Sequence, residues 1–467
     1  MNSRIALPSS ALKVGFVGFG EVNTPRDIIE RKCKSARDAI AGAGFTTLIE
    51  TVPVSDDPAG NDVRRAIQDL SDKGMDVLVV CIAGWIPTHA VISVISEFQH
   101  LPMVMWGLGG YYEGERLVTT ADQAGTTGLR KTMADFGYRF RYVWDLPGKP
   151  HKIEQVAEFL TAAHATRTLK HAKIGMMGFR DMRLYATLYD GVSLKKTLGV
   201  EIEMFEMLDM VQRAEKVTAA DVEAVIAKVK KEWTFEKSAQ AETLEKSARY
   251  YLAIKQIIEE QRYDGISLID VDGMKKLLQL PPAMIFMLIA NELGLPTIPE
   301  NDSLGAVTQL IVKALTGQAA AYFEFYEFLE DRLLMGVPDY IPAAVVEGEM
   351  RVRPTAFGSF AEGVLNISKV KTGPATLARL LTNEKGYAMH ILTGKVATPR
   401  SWEEAGWAQP APQLPGFEFV LDSTVEEFAE NVAGQHYILS YGNQLELMKQ
   451  FCRLNGIQVI HHPATRI

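Results

Sequence analysis

Cysteine is scarce in this chain. Cys33, Cys81 and Cys452 are the only three, an odd number whose spacing fits neither a metal site nor a redox pair. Thiols so dispersed are expected to stay reduced, as in a cytoplasmic protein, and no disulfide framework is expected. Long apolar runs are lacking too. The longest, Ala283 to Ala290, falls far short of the roughly 20 residues that a bilayer-spanning helix needs. The opening MNSRIALPSSALKV has two basic residues, Arg4 and Lys13, and no continuous apolar core of signal-peptide length, so neither export nor a membrane is expected. Charge of one sign is missing as well. The 57 acidic and 49 basic residues leave a net charge of -8 with no long like-charge run, which removes the usual footprint of nucleic-acid binding and makes a small solute the expected partner.

What is present is an ordinary globular composition, 47% hydrophobic and 23% charged over 467 residues, enough for two or three domains. From Lys13 apolar strands alternate with amphipathic helices: KVGFVGFG, a helix near Asp27 to Ala43, TTLIETVPV, a helix after Asn61, and MDVLVVCIAGW ending at Trp85. That rhythm predicts a parallel sheet covered by helices. It then recurs. KIGMMGFRD, from Lys173 to Asp181, matches KVGFVGFGE at the positions of Lys13, Gly15, Gly18 and Phe19, and DGISLIDVDG echoes MDVLVVCIAG. The charge-rich stretches AADVEAVIAKVKKEW and EKSAQAETLEKSARYYLAIKQIIEEQ read as solvated amphipathic helices. After about Leu333 short strands and turns take over, closed by the helix NQLELMKQFCRLNG. The expected architecture is two Rossmann-like doubly wound domains, residues 1–147 and 148–317, followed by a β-rich, barrel-like domain, residues 318–467.

The loop GFGEVN raises the question of a dinucleotide site. Gly18 and Gly20 fit the first two fingerprint glycines, but Asn23 stands at the third and the acidic residue, Glu50, comes late. The second copy has Arg180 in place of Gly20, so the shared feature is a strand ending in a glycine turn. A nicotinamide dehydrogenase is therefore the weakest reading.

The sharpest signal is GLPTIPENDSLGAVTQLIVKALTGQAAAYFEFYEF, residues 294–328. LPTIPE reads as a strand ending at Glu300, and Asp302 or Ser303 can cap a helix with apolar positions 304, 307, 310, 311, 314 and 315. The next strand alternates, with Tyr322, Glu324 and Tyr326 on one face. Glu300 then lies at the carboxyl end of a strand, where open α/β sheets bind ligands. If Glu324 reaches the same cavity, two carboxylates can hold a divalent ion and move protons. The alternative is that Glu300 faces a helix N-terminus and Glu324 is a surface residue. Trp85, after IAG at a strand end, can stack on a sugar or pack in a core. Asp272, at the matching place in the second repeat, can contact a sugar hydroxyl or cap a helix.

PENDSLG, LTG at residues 315–317 and the strand bearing Glu324 together resemble the L-fucose isomerases. The segment KIGMMGFRDMRLYATLYDGVSLKKTLGVEIEMFEMLDM is similar to that family's second-domain opening, and GQHYILSYGNQLELMKQFCRLNGIQVI resembles the ends of both L-fucose and L-arabinose isomerases. The resemblance implies a divalent ion, usually Mn2+, held by two carboxylates and a histidine. Glu300 and Glu324 take the carboxylate places as metal ligands and as the catalytic pair of an aldose–ketose isomerase working through an enediol. For the third ligand the arabinose-type histidine falls on His436, whereas the fucose-type position falls on Asn443, which otherwise stands as a substrate contact. The additional histidine of arabinose isomerases has no match around Pro338 and Asp339. His390, His461 and His462 are weaker candidates. The resemblance also implies a homo-oligomer, such as a hexamer, in which the first domain of one subunit covers a neighbour's site. The departures at the third ligand open the substrate to other hexoses, deoxy or sulfonated, sulfoquinovose among them, with Arg180, Lys275 and Lys276 as cations to meet a sulfonate. A non-catalytic sugar-binding or sensor protein is the competing class.

Overall fold

Six consecutive buried residues, Val14–Phe19, form the first strand, as expected of a segment buried on both faces of a parallel sheet. In this computed structural model, which describes residues 12–356, 360–402 and 415–462, the strand lies second in a five-stranded sheet. The order is Leu48–Glu50, Val14–Phe19, Val77–Ile82, Met103–Gly107 and Phe140–Trp144, and every pairing is parallel. The glycines of the first turn have a packing reason. A Cβ on Gly18 would lie 2.2 Å from Cys33 Sγ, and one on Gly20 would lie 2.5 Å from Ile29 Cδ1, so both let the helix Arg26–Gly42 approach its strand. Glu50, the late acidic residue, pairs with Arg37 at 2.8 Å. All three cysteines are free and buried.

The described chain divides into two compact units, one ending at Arg167 and the other beginning at Thr168. The second unit contains a four-stranded parallel sheet in the order Thr297–Ile298, Gly265–Leu268, Lys173–Met177, Glu201–Phe205. It also contains the barrel. Six antiparallel strands, Gly373–Asn383, His436–Tyr441, Ala321–Phe328, Arg332–Gly336, Gly416–Leu421 and Gly386–Ala397, pair in that order and close, because the last pairs with the first. Closure removes the exposed edges that such a sheet would otherwise present. Phe323 meets Phe417 at 4.7 Å and Phe325 meets Tyr437 at 5.1 Å, so these rings pack on the strand face opposite Glu324.

The helix Ser303–Thr316 packs against both sheets of this unit. The sequence pattern predicts one apolar face, yet every residue from Ser303 to Lys313 is buried, including Gln309 and Lys313. The difference has a simple cause. A helix sandwiched between two sheets has no solvent face, and its polar side chains must find internal partners. Gln309 donates to the carbonyls of Thr297 and Ala320 at 2.7 Å each. Ala241–Gln261 buries nine residues at helical spacing and leaves its other face exposed or part-exposed, the amphipathic cover that its sequence predicts. Among the described residues no helix is long and apolar enough to cross a membrane. Residues 1–11 of the opening stretch lie outside the described part.

Candidate active site

Three neighbouring parallel strands deliver their carboxyl ends to one place. Gly265–Leu268 is followed by a one-turn π-helix, Asp270–Lys275, and Thr297–Ile298 runs into Pro299 and Glu300. Asp181, beyond the end of Lys173–Met177, accepts from the amides of Val271 and Asp272 at 2.8 and 2.7 Å and so fixes the π turn. Asp270 then accepts from the Glu300 amide at 2.7 Å.

That anchoring matters because the backbone at Glu300 is strained. Glu300 and Asn301 have φ of 61° and 51°, the left-handed region that costs an ordinary residue roughly 1–2 kcal/mol. Asn301 also donates its side-chain amide to the carbonyls of Met177 and Phe179.

Asp302 caps the helix, accepting from Gly305 N at 2.9 Å, and does two further things. Its carboxylate takes both terminal nitrogens of the buried Arg379, and its Oδ2 lies 2.8 Å from His436 Nδ1. Burial opposes its ionisation, but Arg379 and His436 outweigh burial and hold the carboxyl well below the usual range. With Nδ1 engaged, His436 presents Nε2 to Glu300 and Glu324.

His436 and Glu324 are directly opposite each other across the antiparallel pair, which accounts for their 3.4 Å approach. Glu300 lies 3.7 Å from the same nitrogen. One ligand atom from each of Glu300, Glu324 and His436 falls within 4.8 Å of the others. Burial raises the Glu300 carboxyl to about 8, with Glu324, Asp270 and Asp339 adding to the rise and His436 opposing it. For His436 burial works against the charged ring, but Asp302 and Glu324 outweigh it and carry the imidazole up to about 10. Two carboxylate oxygens and an imidazole nitrogen that converge in this way suit a divalent cation with open positions.

These features accompany a sequence likeness. The family model of the L-arabinose isomerase central domain matches residues 177–317. The L-arabinose isomerase of Shouchella clausii is 22% identical over 324 residues, covering 66% of this chain and 64% of the relative. That of Herpetosiphon aurantiacus is 22% identical over 353 residues, covering 65% and 67%, and that of Klebsiella pneumoniae is 21% identical over 323 residues, covering 66% and 63%. These matches support a kinship with the L-arabinose and L-fucose isomerase superfamily. It spans about two-thirds of the length of the curated relatives it matches.

The remaining sequence candidates lie apart from the cluster or are otherwise engaged. Asn443 stands beyond the far end of His436–Tyr441, exposed, with its side-chain oxygen accepting from Leu445 N at 3.1 Å. At about 3.3 Å per strand residue this is too far to reach the cluster that Glu300, Glu324 and His436 form. Asp272 accepts from Met182 N at 2.8 Å and from Lys276, which ties down the loop beside the site. Trp85 is half-exposed at the carboxyl end of Val77–Ile82 in the other unit. His390 is buried against the Tyr437 hydroxyl at 2.6 Å, and burial lowers its ring to about 4. His461 bonds the Ile391 carbonyl at 3.1 Å.

Two of the three proposed substrate cations are already committed. Lys275 is buried between Asp270 at 2.9 Å and Asp339 at 3.3 Å, and Lys276 is held by Asp272. Arg180 lies over the Tyr185 ring at 4.8 Å, next to the Phe179 carbonyl that Asn301 grips. Sequence reasoning missed Asp270, Arg379 and Gln435, whose amide reaches Glu300 and lies 3.2 Å from His436 Nε2. Arg379 had a signal, a lone cation within the apolar run of Gly373–Asn383. Gln435 had none.

Proposed function

We propose that this protein is a metal-dependent aldose–ketose isomerase acting on a hexose-type sugar, deoxy or sulfonated, with sulfoquinovose as the sulfonated member. The observation that carries the reading is the convergence of Glu300, Glu324 and His436 at the carboxyl end of a parallel sheet. The three would hold a divalent cation, Mn2+ in our reading, and the cation would polarise neighbouring carbonyl and hydroxyl oxygens of the open-chain sugar.

The chain's own residues do the proton work. One of Glu300 and Glu324 takes the proton from C2, and the electron pair moves into a C1–C2 double bond as O1 gains a proton, giving the enediol. Return of a proton to C1 and loss of the O2 proton complete the ketose. Arg379 and Asp302 keep His436 in place, and Asp270 keeps the Glu300 turn. Arg180, half-exposed beside the anchored loop, supports an anionic substituent on the sugar. Trp85 and Asp272 are proposed as sugar contacts. Exposed apolar side chains at Phe179, Met182, Tyr185, Leu188 and Val192 support a homo-oligomer, such as a hexamer, that covers this surface.

The deciding experiment follows loss of the C2 hydrogen by NMR in deuterated water. Metal-stripped protein would be given Mn2+ and a panel of aldoses that includes 6-deoxy and 6-sulfonated hexoses. Mn2+-dependent exchange on one sugar is expected. Binding without exchange on any of them would leave a sugar sensor as the better reading.

Metal uptake should also displace protons. At pH 7 a Glu300 carboxyl at about 8 and a His436 ring at about 10 are both protonated, and both must lose a proton to become ligands. Mn2+ binding should therefore release about two protons at pH 7 and about one at pH 9, where Glu300 is already ionised. Calorimetry in buffers of different ionisation heat reads this number. Zero net release at pH 7 would contradict the ligand set.

A further inference from the structure

A cavity of about 400 Å³ lies within the amino-terminal unit. It opens where two adjacent parallel strands end: Met103–Gly107 runs into Leu108, Gly109 and Gly110, and Phe140–Trp144 runs into Asp145. Gly107 and Trp144 are register partners, so both loops leave the sheet at the same level, the place where parallel sheets offer ligand sites. The third wall is the helix Arg26–Gly42, through Arg31, Lys32 and Ser35.

The floor requires glycine. A Cβ on Gly110 would lie 2.4 Å from the Val118 carbonyl, and one on Gly109 would lie 3.0 Å from the Leu146 backbone. Above it runs an ordered chain of hydrogen bonds. Asp145, 4% exposed, accepts from Lys152 N at 2.9 Å through Oδ1, and its Oδ2 lies 2.8 Å from His151 Nδ1. His151 Nε2 in turn lies 2.8 Å from the Ser35 hydroxyl. The buried Trp106 packs edge-on against the imidazole at 5.2 Å, so the ring is held on two sides. The result is a hydroxyl whose direction is fixed from beneath.

The charges at the mouth are the second observation. Three cations, Arg31, Lys32 and Lys149, line the cavity against the single carboxylate of Asp145, in a chain whose net charge is -8. Lys32 is engaged by Asp122 and Thr120. Arg31 lies over the Tyr111 ring at 5.3 Å, and among the described residues neither it nor Lys149 takes part in an ion pair. Both are exposed at the rim.

We infer that this cavity binds a small solute through an oxyanion group, a phosphate or sulfonate. Arg31 and Lys149 take the charge, while the Ser35–His151–Asp145 chain, with the Ser35 hydroxyl donating to His151 Nε2 and His151 Nδ1 donating to Asp145, sets the wall beside them. The inference is independent of the Glu300 site.

Full-length protein titrated calorimetrically with inorganic phosphate, methanesulfonate, glucose 6-phosphate and neutral glucose tests it. Saturable binding of the oxyanions is expected, weakened roughly tenfold or more in an Arg31→Gln/Lys149→Gln double variant, a loss of about 1.4 kcal/mol. The His151 ring signals, assigned in nitrogen-15 spectra with a His151→Gln protein, should move on addition of phosphate to the wild type. Tighter binding of glucose 6-phosphate than of phosphate would assign the ligand as a sugar ester, and equal binding would assign the free oxyanion. A Glu300→Gln protein should bind as the wild type does. Absence of saturable binding, undiminished binding in the double variant, or equal binding of neutral glucose would each overturn the inference.

Discussion

A Glu300→Gln protein is expected to lose isomerase turnover by about a hundredfold to ten-thousandfold while keeping its fold, the range seen when a positioned acid or base is removed. The substitution keeps the size of the side chain and the backbone hydrogen bond to Asp270, so the strained turn at Glu300 and Asn301 retains its supports. What it removes is the carboxylate, both as a proton carrier and as a ligand atom in the cluster with Glu324 and His436. Proton release on Mn2+ binding should fall by about one at pH 7, because the group at about 8 is gone. Glu324→Gln should depress turnover on the same scale. Circular dichroism and turnover measured together check both proteins, and a Glu300→Gln protein with unchanged turnover would sink the mechanism.

The second large effect lies one layer behind the ligands. Arg379→Met should destabilise the carboxyl-terminal unit by about 3–5 kcal/mol, since it leaves the Asp302 charge buried without its guanidinium partner. The loss reaches further than stability. Arg379 takes Asp302 through both terminal nitrogens and also donates to the Ala186 carbonyl at 3.3 Å, on the loop beside the site. Lysine cannot reproduce that fork, so Arg379→Lys should rescue little. Mn2+ affinity should fall as well, because Asp302 orients His436, and outer partners of metal ligands typically contribute 10-fold to 100-fold in affinity. Thermal unfolding and Mn2+ titration check the two expectations separately. A melting temperature and affinity both equal to the wild type would remove Asp302 and Arg379 from the positioning role.

Local chemistry was legible in the sequence because it acts over a few residues. The strand and helix rhythm, the carboxyl-end placement of Glu300, the cap at Asp302 and the alternation that put Tyr322 and Glu324 on one face all follow from periodicities of the backbone itself. Where the sequence went wrong was in judging surroundings. Lys275 reads as a cation available to a sulfonate until the π turn buries it between Asp270 and Asp339, and the Ser303–Thr316 helix reads as amphipathic until two sheets close on it. The histidine of the cluster shows the limit most clearly. Nothing local separates His436 from Asn443, because both belong to the same short stretch around one strand. The choice is made by the antiparallel register that sets Glu324 opposite His436, and by Asp302, far away in sequence, reaching Nδ1 from a helix start. Sequence by itself determined which residues could carry charge and at which ends of which elements they would stand. Tertiary structure alone decided which of them met, since burial, register and the pairing of distant charges exist only once the chain has closed on itself.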